Sequence, residues 1–315
     1  MKDNKGRTIE YLRLSVTDLC NYRCTYCMPE SGVHKLNHSD ILSIEELTHI
    51  ARTAVACGIK KIRLTGGEPL VRHGIIELCK NLKSIPGLEE LAMTTNGSLL
   101  AHYANDLKSA GVDRLNISID TLNKKKFKSI TRCGELNQVL DGLSAAKSAG
   151  FSNIKINTVL INDFNVNEIL DFIALTKDDD FSVRFIELMP IGECMQWPKE
   201  RFISAETVLD ICPSLVPTKT DGVATLYYVP GYKGTVGLIR PMTACFCNQC
   251  NRIRITTDGK LKPCLHSEDE IPLRGLSGDV LKQAIKKGIF YKPTQHYLNE
   301  NKQSKTKRNM NEIGG

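Results

Sequence analysis

Three cysteines stand at C-x3-C-x2-C spacing in "CNYRCTYC", residues 20–27, directly after the strand-like run "YLRLSV". A closed zinc site takes four ligands, and an electron-transfer 4Fe-4S cluster takes four cysteines. Cys20, Cys24 and Cys27 supply three thiolates, which leaves one metal position open to a substrate or cofactor. A zinc ion completed by His34 or His38 is the alternative reading of the same residues. A second group, "FCNQCNRIRITTDGKLKPCL", sets Cys247, Cys250 and Cys264 at C-x2-C-x13-C, again three. Cys245, two residues before Cys247, offers a competing ligand at C-x4-C spacing. Cys57, Cys79, Cys133, Cys194 and Cys212 fall outside both groups and read as buried or incidental thiols.

The chain that must position these groups has 315 residues and 41% hydrophobic content, enough for one large domain or one large and one small. Its opening has no apolar h-region, and no stretch approaches the roughly 18 apolar residues of a membrane span. A cytoplasmic protein without a membrane partner is expected, and there twelve cysteines point to metal or redox use. Much of the net charge of +7 sits in "NKQSKTKRNMNEIGG", read as a solvated terminus. With 6% aromatic residues the chain offers little base-stacking surface, which argues against a nucleic-acid partner.

Strand-like runs recur at 11–16, 61–65, 91–95, 114–119, 154–159 and 183–188, with helical patterns at 43–56, 99–110, 138–149 and 167–175. The first helix carries a capping box, Ser43 with Glu46, an apolar stripe of Ile44, Leu47, Ile50, Ala54 and Val55, and Gly58 at its end. Alternating strands and helices predict a parallel sheet built from right-handed βα units. No Gly-x-Gly-x-x-Gly follows the first strand, which weakens a dinucleotide-binding fold.

Strand parity adds a functional clue, because alternate residues face opposite sides. Leu12, Leu14 and Val16 oppose Arg13, Ser15 and Thr17; Ile62 and Leu64 oppose Lys61, Arg63 and Thr65. Leu115, Ile117 and Ile119 oppose Asn116, Ser118 and Asp120, and Lys155 and Asn157 continue the polar side. A barrel interior lined this way must hold a ligand, since its ordinary filling is branched aliphatics. Arg13, Lys61, Arg63 and Lys155 converge there and call for a polyanion such as a nucleoside triphosphate.

The motifs, in this order, resemble those of radical S-adenosylmethionine (SAM) enzymes. "CNYRCTYC" carries their three-cysteine signature, and "TGGEP", residues 65–69, is similar to the segment that holds the methionyl end of SAM. With "LRLSVTDLC", the second cysteine group and the final "NEIGG", nearly the whole chain is similar to the MoaA family, the GTP 3′,8-cyclases that open molybdenum cofactor biosynthesis. The resemblance implies an incomplete (β/α)6 TIM-like barrel over residues 1–240 and a smaller C-terminal cluster-binding domain over 241–315.

It also implies two 4Fe-4S clusters, one on Cys20, Cys24 and Cys27 with SAM on its open iron, the other on Cys247, Cys250 and Cys264 with its open iron facing the guanine of GTP. Tyr26, Gly67, Ser118 and Met189 match SAM-binding positions, with Glu68 and Pro69 shaping the segment around them. Arg13, Arg63, Thr94, Lys155, Arg252, Ile253 and Arg254 match GTP-binding positions, with Lys61 close by. The tail, Gly314 and Gly315, reaches into the active site. No side chain is assigned the catalysis, which cluster-bound SAM carries: a 5′-deoxyadenosyl radical takes hydrogen from C3′ of GTP, C3′ attacks C8, and reduction yields the cyclised product. The next enzyme of the pathway takes that product, a homodimer is allowed, and the electron donor is left open. Two other readings stand beside this one: a two-cluster radical SAM enzyme acting on a peptide or RNA, and a zinc-binding nucleic-acid protein. In "PLVRHG", Gly74 replaces the family's acidic residue at a helix start.

Overall fold

The computed structural model describes residues 1–33, 36–296, 298 and 304–314; His34 and Gly315, with the side chain of His38, lie outside the described residues. The alternating runs fold as strands β1 (Tyr11–Ser15), β2 (Lys61–Thr65), β3 (Glu90–Thr95), β4 (Arg114–Ser118), β5 (Lys155–Leu160) and β6 (Ser182–Glu187). Each pairs in parallel with the next. The returns are made by helices α1 (Ile44–Ala56), α2 (Ile75–Lys83), α3 (Leu100–Ser109), α4 (Lys124–Thr131), α5 (Leu136–Ser148) and α6 (Ile169–Ala174).

The local signals behave as the residues dictate. Ser43 and Glu46 close a reciprocal capping box, and Leu47, Ile50, Ala54 and Val55 are buried on one stripe of α1. Helix α2 begins directly after Gly74, whose φ of 78° suits glycine, without a side-chain cap. Glu77 in its first turn supplies the negative charge that the N-terminus favours.

Further strands extend both margins. Helix α7 (Thr207–Ile211) leads to β7 (Val216–Asp221), β8 (Ala224–Tyr228) and β9 (Thr235–Ile239). Beyond them lie β10 (Arg252–Ile255), β11 (Lys260–Lys262), β12 (Ile271–Pro272) and helix α8 (Gly278–Phe290). All belong to one sheet of order β12-β11-β10-β1-β2-β3-β4-β5-β6-β9-β8-β7. The order does not close on itself, so the sheet is a partial barrel. From β10 through β9 it is parallel, with antiparallel hairpins at each margin.

One face is apolar: Leu12, Leu14, Ile62, Leu64, Leu91, Leu115, Ile117 and Ile156 are fully buried and pack with the helix stripes into one core. Each such side chain contributes about 1.5–3 kcal/mol, and together they leave the opposite face to polar residues.

Glu187, at the end of β6, fastens the C-terminal segment to this frame. Its buried carboxylate accepts from Ala205 N at 3.2 Å, Met242 N at 2.9 Å, Thr243 N at 3.0 Å and the Thr243 hydroxyl. Glu187→Ala strands these donors and should cost about 3 kcal/mol or more, whereas Glu187→Gln, which keeps an acceptor, should cost less. Equal denaturation midpoints for the two variants would refute that account.

Candidate active site

The polar face is built in rows set by strand register. Arg254 lies beside Arg13, Arg13 beside Arg63, and Tyr11 between Arg252 and Lys61. One row further, Thr94 pairs with Asn116, Asn116 with Lys155 and Lys155 with Ser182. Ser118, Asn157 and Arg184 form the next. The polar side expected from parity is therefore one continuous surface.

Its cations are crowded. Burial pushes the Arg13 guanidinium well below its ordinary pKa, and neighbouring Arg254, Arg63 and Arg252 push the same way. Burial and Arg252 bring Arg254 down to about 10. Like charges held together out of water carry a cost that an anion relieves. Lys155 differs from the expectation of a cation open to an anion. Its Nζ donates to Asp221 Oδ2 at 2.7 Å, and Arg184 Nη2 donates to the same oxygen at 2.5 Å. Burial and Arg184 lower Lys155 to about 8.

Several polar atoms on this face have no protein partner although they are buried: Arg63 Nε, Thr65 Oγ1, Thr94 Oγ1, Asn116 Oδ1 and Asn157 Oδ1. Each leaves a hydrogen bond unmade at a cost of about 1–3 kcal/mol. Arg63 Nε and the two threonine hydroxyls are donors that suit an anion, while the asparagine oxygens suit donors of a polar ligand.

The first triad follows β1. Cys27 N and Met28 N donate to Cys24 O at 2.9 and 3.2 Å, a tight turn that presents Cys24 and Cys27 together. Arg23 N and Thr25 N donate to Thr131 O and Ile130 O, which ties the loop to the end of α4. Tyr22 N and Asn96 Nδ2 donate to Cys20 Sγ at 3.3 and 3.9 Å. Burial raises the thiols, Cys20 to about 11 and Cys27 to about 12, so metal binding must displace their protons. Among the described residues the only three metal donors within 4.8 Å of one another are elsewhere, so no fourth ligand closes on this triad. A single tetrahedral zinc holds its sulfurs about 3.8 Å apart, and these three do not gather that closely. The donor set fits a polynuclear cluster with an open position.

The "TGGEP" segment docks directly on this loop. Gly67 N donates to Thr17 O at 2.8 Å and Glu68 N to Leu19 O at 2.9 Å. A Cβ at Gly67 would stand 2.2 Å from Leu19 O, so only glycine allows the approach. Glu68, fully buried, accepts from Leu70 N at 3.0 Å, Thr95 Oγ1 at 2.7 Å and Asn96 N at 2.7 Å. Burial lifts it to about 7 against those bonds. Tyr26 donates its hydroxyl to Asp120 Oδ2 at 2.6 Å. Burial raises Asp120 to about 6. Gly67 and Met189 lie just past β2 and β6, Ser118 ends β4, and Tyr26 sits in the loop that follows β1, so all four stand on the side of the strands' C-terminal ends.

The second triad occupies the other end. Cys247 and Cys250 precede β10, which runs parallel to β1, and Cys264 follows the antiparallel β11. Burial would raise Cys250, but Arg252 and Lys292 pull it down to about 6. Arg252 also lies over the Phe246 ring at 5.2 Å, and buried Ile253 faces the core. Between the two ends comes the tail. Arg254 Nη1 donates to Ile313 O at 3.2 Å and to Gly314 O. Gly314, with φ 68°, lies where a Cβ would meet Thr65 Oγ1. Asn311 Nδ2 donates to Asp18 O at 3.0 Å, which ties the tail to the segment leading into Cys20.

Arg184, Asp221 and Asn96 were not among the expected site residues, and Asp120 was placed on the polar side by parity but given no role. Arg184 is legible in the alternation of "SVRFIE"; Asp221 and Asn96 have no local signature, because their partners lie far along the chain.

The radical SAM superfamily description matches residues 14–176, and that of the molybdenum cofactor synthesis C-terminal family matches residues 181–298. The GTP 3′,8-cyclase of Alkaliphilus metalliredigens is 51% identical over the whole of both chains. The GTP 3′,8-cyclase of Peptoclostridium acidaminophilum is 50% identical over 99% of this chain and 98% of its own. This chain belongs to the GTP 3′,8-cyclase family.

A cyclase-family chain is an enzyme, which removes the reading as a zinc-binding nucleic-acid protein. Among solved structures, Streptococcus suis SuiB bound to S-adenosylmethionine superposes with TM-score 0.59 at 14% identity, over 87% of this chain and 64% of that one. SuiB bound to the precursor peptide SuiA gives TM-score 0.64 at 13% identity, over 91% and 66%. These likenesses carry the fold, and the cyclase family's partial barrel agrees with it. No helix among the described residues is long and apolar enough to cross a membrane.

Proposed function

We propose that this chain converts GTP to (8S)-3′,8-cyclo-7,8-dihydroguanosine 5′-triphosphate, the first step of molybdenum cofactor biosynthesis. The observation that carries the reading is the placement of two three-cysteine groups at opposite ends of one cation-lined sheet face. Five strand residues span about 17 Å, the scale of an extended nucleotide rather than of a single phosphate.

In this reading Cys20, Cys24 and Cys27 hold one 4Fe-4S cluster, and Cys247, Cys250 and Cys264 hold the other. When bound, the first cluster and SAM supply the one-electron cleavage of SAM and the removal of hydrogen from C3′ of the ribose. The chain's own work is positioning. Tyr26, Gly67, Ser118 and Met189 line the SAM side. Arg13, Arg63, Thr94, Arg252 and Arg254 hold GTP with their side chains, Ile253, whose side chain faces the core, with its backbone, and Lys155 by exchanging Asp221 for the nucleotide. A triphosphate among these residues offsets the like-charge cost and gives partners to Arg63 Nε and Thr94 Oγ1. Arg254, by holding the Gly314 carbonyl, keeps the tail against Thr65 and screens that side from water. The cation rows favour a compact polyanion over a peptide. A cytoplasmic location, an external one-electron donor and transfer of the product to the next enzyme belong to the same proposal.

The test is anaerobic turnover of the reconstituted chain with SAM, a strong reductant and each nucleoside triphosphate in turn. 5′-Deoxyadenosine and a cyclised GTP appearing only with GTP are the expected products. Equal SAM cleavage with every nucleotide, or with none, refutes the substrate. Arg252→Ala should lower GTP turnover about 100-fold or more while affecting iron content far less. Undiminished turnover would remove its role.

A further inference from the structure

The tight donor group lies beside the second triad and includes residues that the cyclase reading does not use. Ligand atoms of Cys245, Cys247 and His296 all lie within 4.8 Å of one another. We propose that Cys245, Cys247 and His296 form a mononuclear site for a soft divalent cation of the zinc class, and that filling it excludes the second iron–sulfur cluster. The exclusion rests on the assignment of Cys247 to that cluster; the cation site itself does not.

The spacing is that of one ion. Metal–sulfur and metal–nitrogen bonds of about 2.3 and 2.0–2.1 Å in a tetrahedron set sulfur and nitrogen about 3.5–3.6 Å apart. Cys245 Sγ and His296 Nε2 stand 3.5 Å apart. The Cys247 sulfur lies within 4.8 Å of both, a gap that an ion closes by drawing the exposed Cys245 side chain inward. Two thiolates with one imidazole form a set that prefers zinc to a hard cation. The thiols release their two protons on binding, and the fourth position faces Pro241 O, 3.2 Å from Nε2.

The surroundings hold these groups in place. Arg7, whose side chain is 7% exposed, donates to Cys247 O at 2.8 Å and to Lys292 O, Pro293 O and Thr294 O, which fixes the segment entering His296 against Cys247. His296 N donates to Cys247 Sγ at 3.4 Å. Its ring stands edge-on to buried His266, with centroids 5.0 Å apart. In the ion-free chain the Nε2–H donates to Pro241 O, while His296 Nδ1 is buried without a hydrogen-bond partner; an ion at Nε2 displaces that proton to Nδ1, whose lone pair is free to take it. Cys245 is exposed, which gives an ion a way in.

The full-length chain, stripped of iron and sulfide by anaerobic chelation, is titrated with Co²⁺ and read by its thiolate charge-transfer and tetrahedral ligand-field bands. One Co²⁺ per chain is expected. Affinity should fall at least about tenfold in Cys245→Ala and in His296→Ala, and should hold in the Cys250→Ser/Cys264→Ser double variant. Loss in the double variant with full binding in Cys245→Ala would put the ion on the cluster cysteines and overturn the site. The chain loaded with Zn²⁺ is then given iron and sulfide. About half the iron of the zinc-free chain should enter, with full iron restored by Cys245→Ala. Full iron with zinc retained overturns the exclusion. A zinc-free chain that takes up only one cluster's iron counts against the two-cluster reading instead, and the Co²⁺ result then judges the site alone.

Discussion

Cys24→Ser should yield a folded chain that keeps about half its iron and forms neither 5′-deoxyadenosine nor cyclised product. Cys24 lies in the turn that presents the first triad, and its carbonyl accepts from both Cys27 N and Met28 N. Serine preserves that backbone and nearly the volume, so the fold should survive. What goes is a thiolate, and a hydroxyl is a poor replacement for it on iron. With two sulfurs left and no further described donor gathered there, the cluster has no third anchor. Activity should fall at least about 1,000-fold, because the protein supplies only orientation and shielding for chemistry that the cofactor performs. Cys79→Ser, altering a fully buried core thiol outside both triads, is the control and should cost stability rather than iron. SAM cleavage surviving in Cys24→Ser would show that the first triad is not the site of that step.

Gly67→Ala should be almost as damaging through shape alone. A methyl there would stand 2.2 Å from Leu19 O, 2.6 Å from Leu19 C and 2.7 Å from Asp18 O, all of them backbone atoms. Backbone cannot swing aside as a flexible side chain can. Relief must come by separating the "TGGEP" segment from Thr17–Leu19, which breaks the bonds from Gly67 N and Glu68 N and shifts the chain entering Cys20. A displacement of about 1 Å at a reacting centre costs roughly 100-fold, so SAM cleavage should fall by at least that factor. Iron at the second triad and GTP affinity, which depend on the other end of the sheet, should change little. Equal losses at both ends would point to general unfolding and refute the local account.

Much of this was legible because the period of a strand is short. In "YLRLS" and "KIRLT" alternate residues differ so sharply in polarity that the faces separate on inspection, and the register then sets Arg13 beside Arg63. The same alternation in "SVRFIE" would have added Arg184, whose position in the polar row repeats that of Asn157. Asp221 was beyond reach: its partners Lys155 and Arg184 are joined to it through a hairpin at the sheet margin, and no local pattern records such an encounter. The hydrogen bond of Tyr26 with Asp120 is hidden for the same reason. After residue 200 the alternation of long strands and helices gives way to short, turn-rich runs, a change in the sequence that sets this segment apart from the barrel. That change marks the antiparallel margins, while β10 returns to lie beside β1. Pairing between residues so distant leaves no trace in either stretch alone. A tail that reaches the site was expected only through resemblance, without Thr65 as its neighbour, and a terminal glycine by composition suggests fraying.

The pairing of β1 with β10 makes the sheet a ruler. One triad hangs from the far end of the first strand and the other from the near end of its neighbour, with Tyr11 opposite Arg252 and Arg13 opposite Arg254 as the graduations. Loops on either side can lengthen or shorten over evolutionary time without moving these marks. A slip of one residue would turn Ile253 and Ile255 toward the ligand and Arg252 and Arg254 toward the core, erasing the scale at once. A molecule that touches only one end of the ruler is held without being acted upon. Length of this kind sorts a nucleoside triphosphate from a shorter anion, and the choice of GTP over an equally long ATP falls to the groups at the base end.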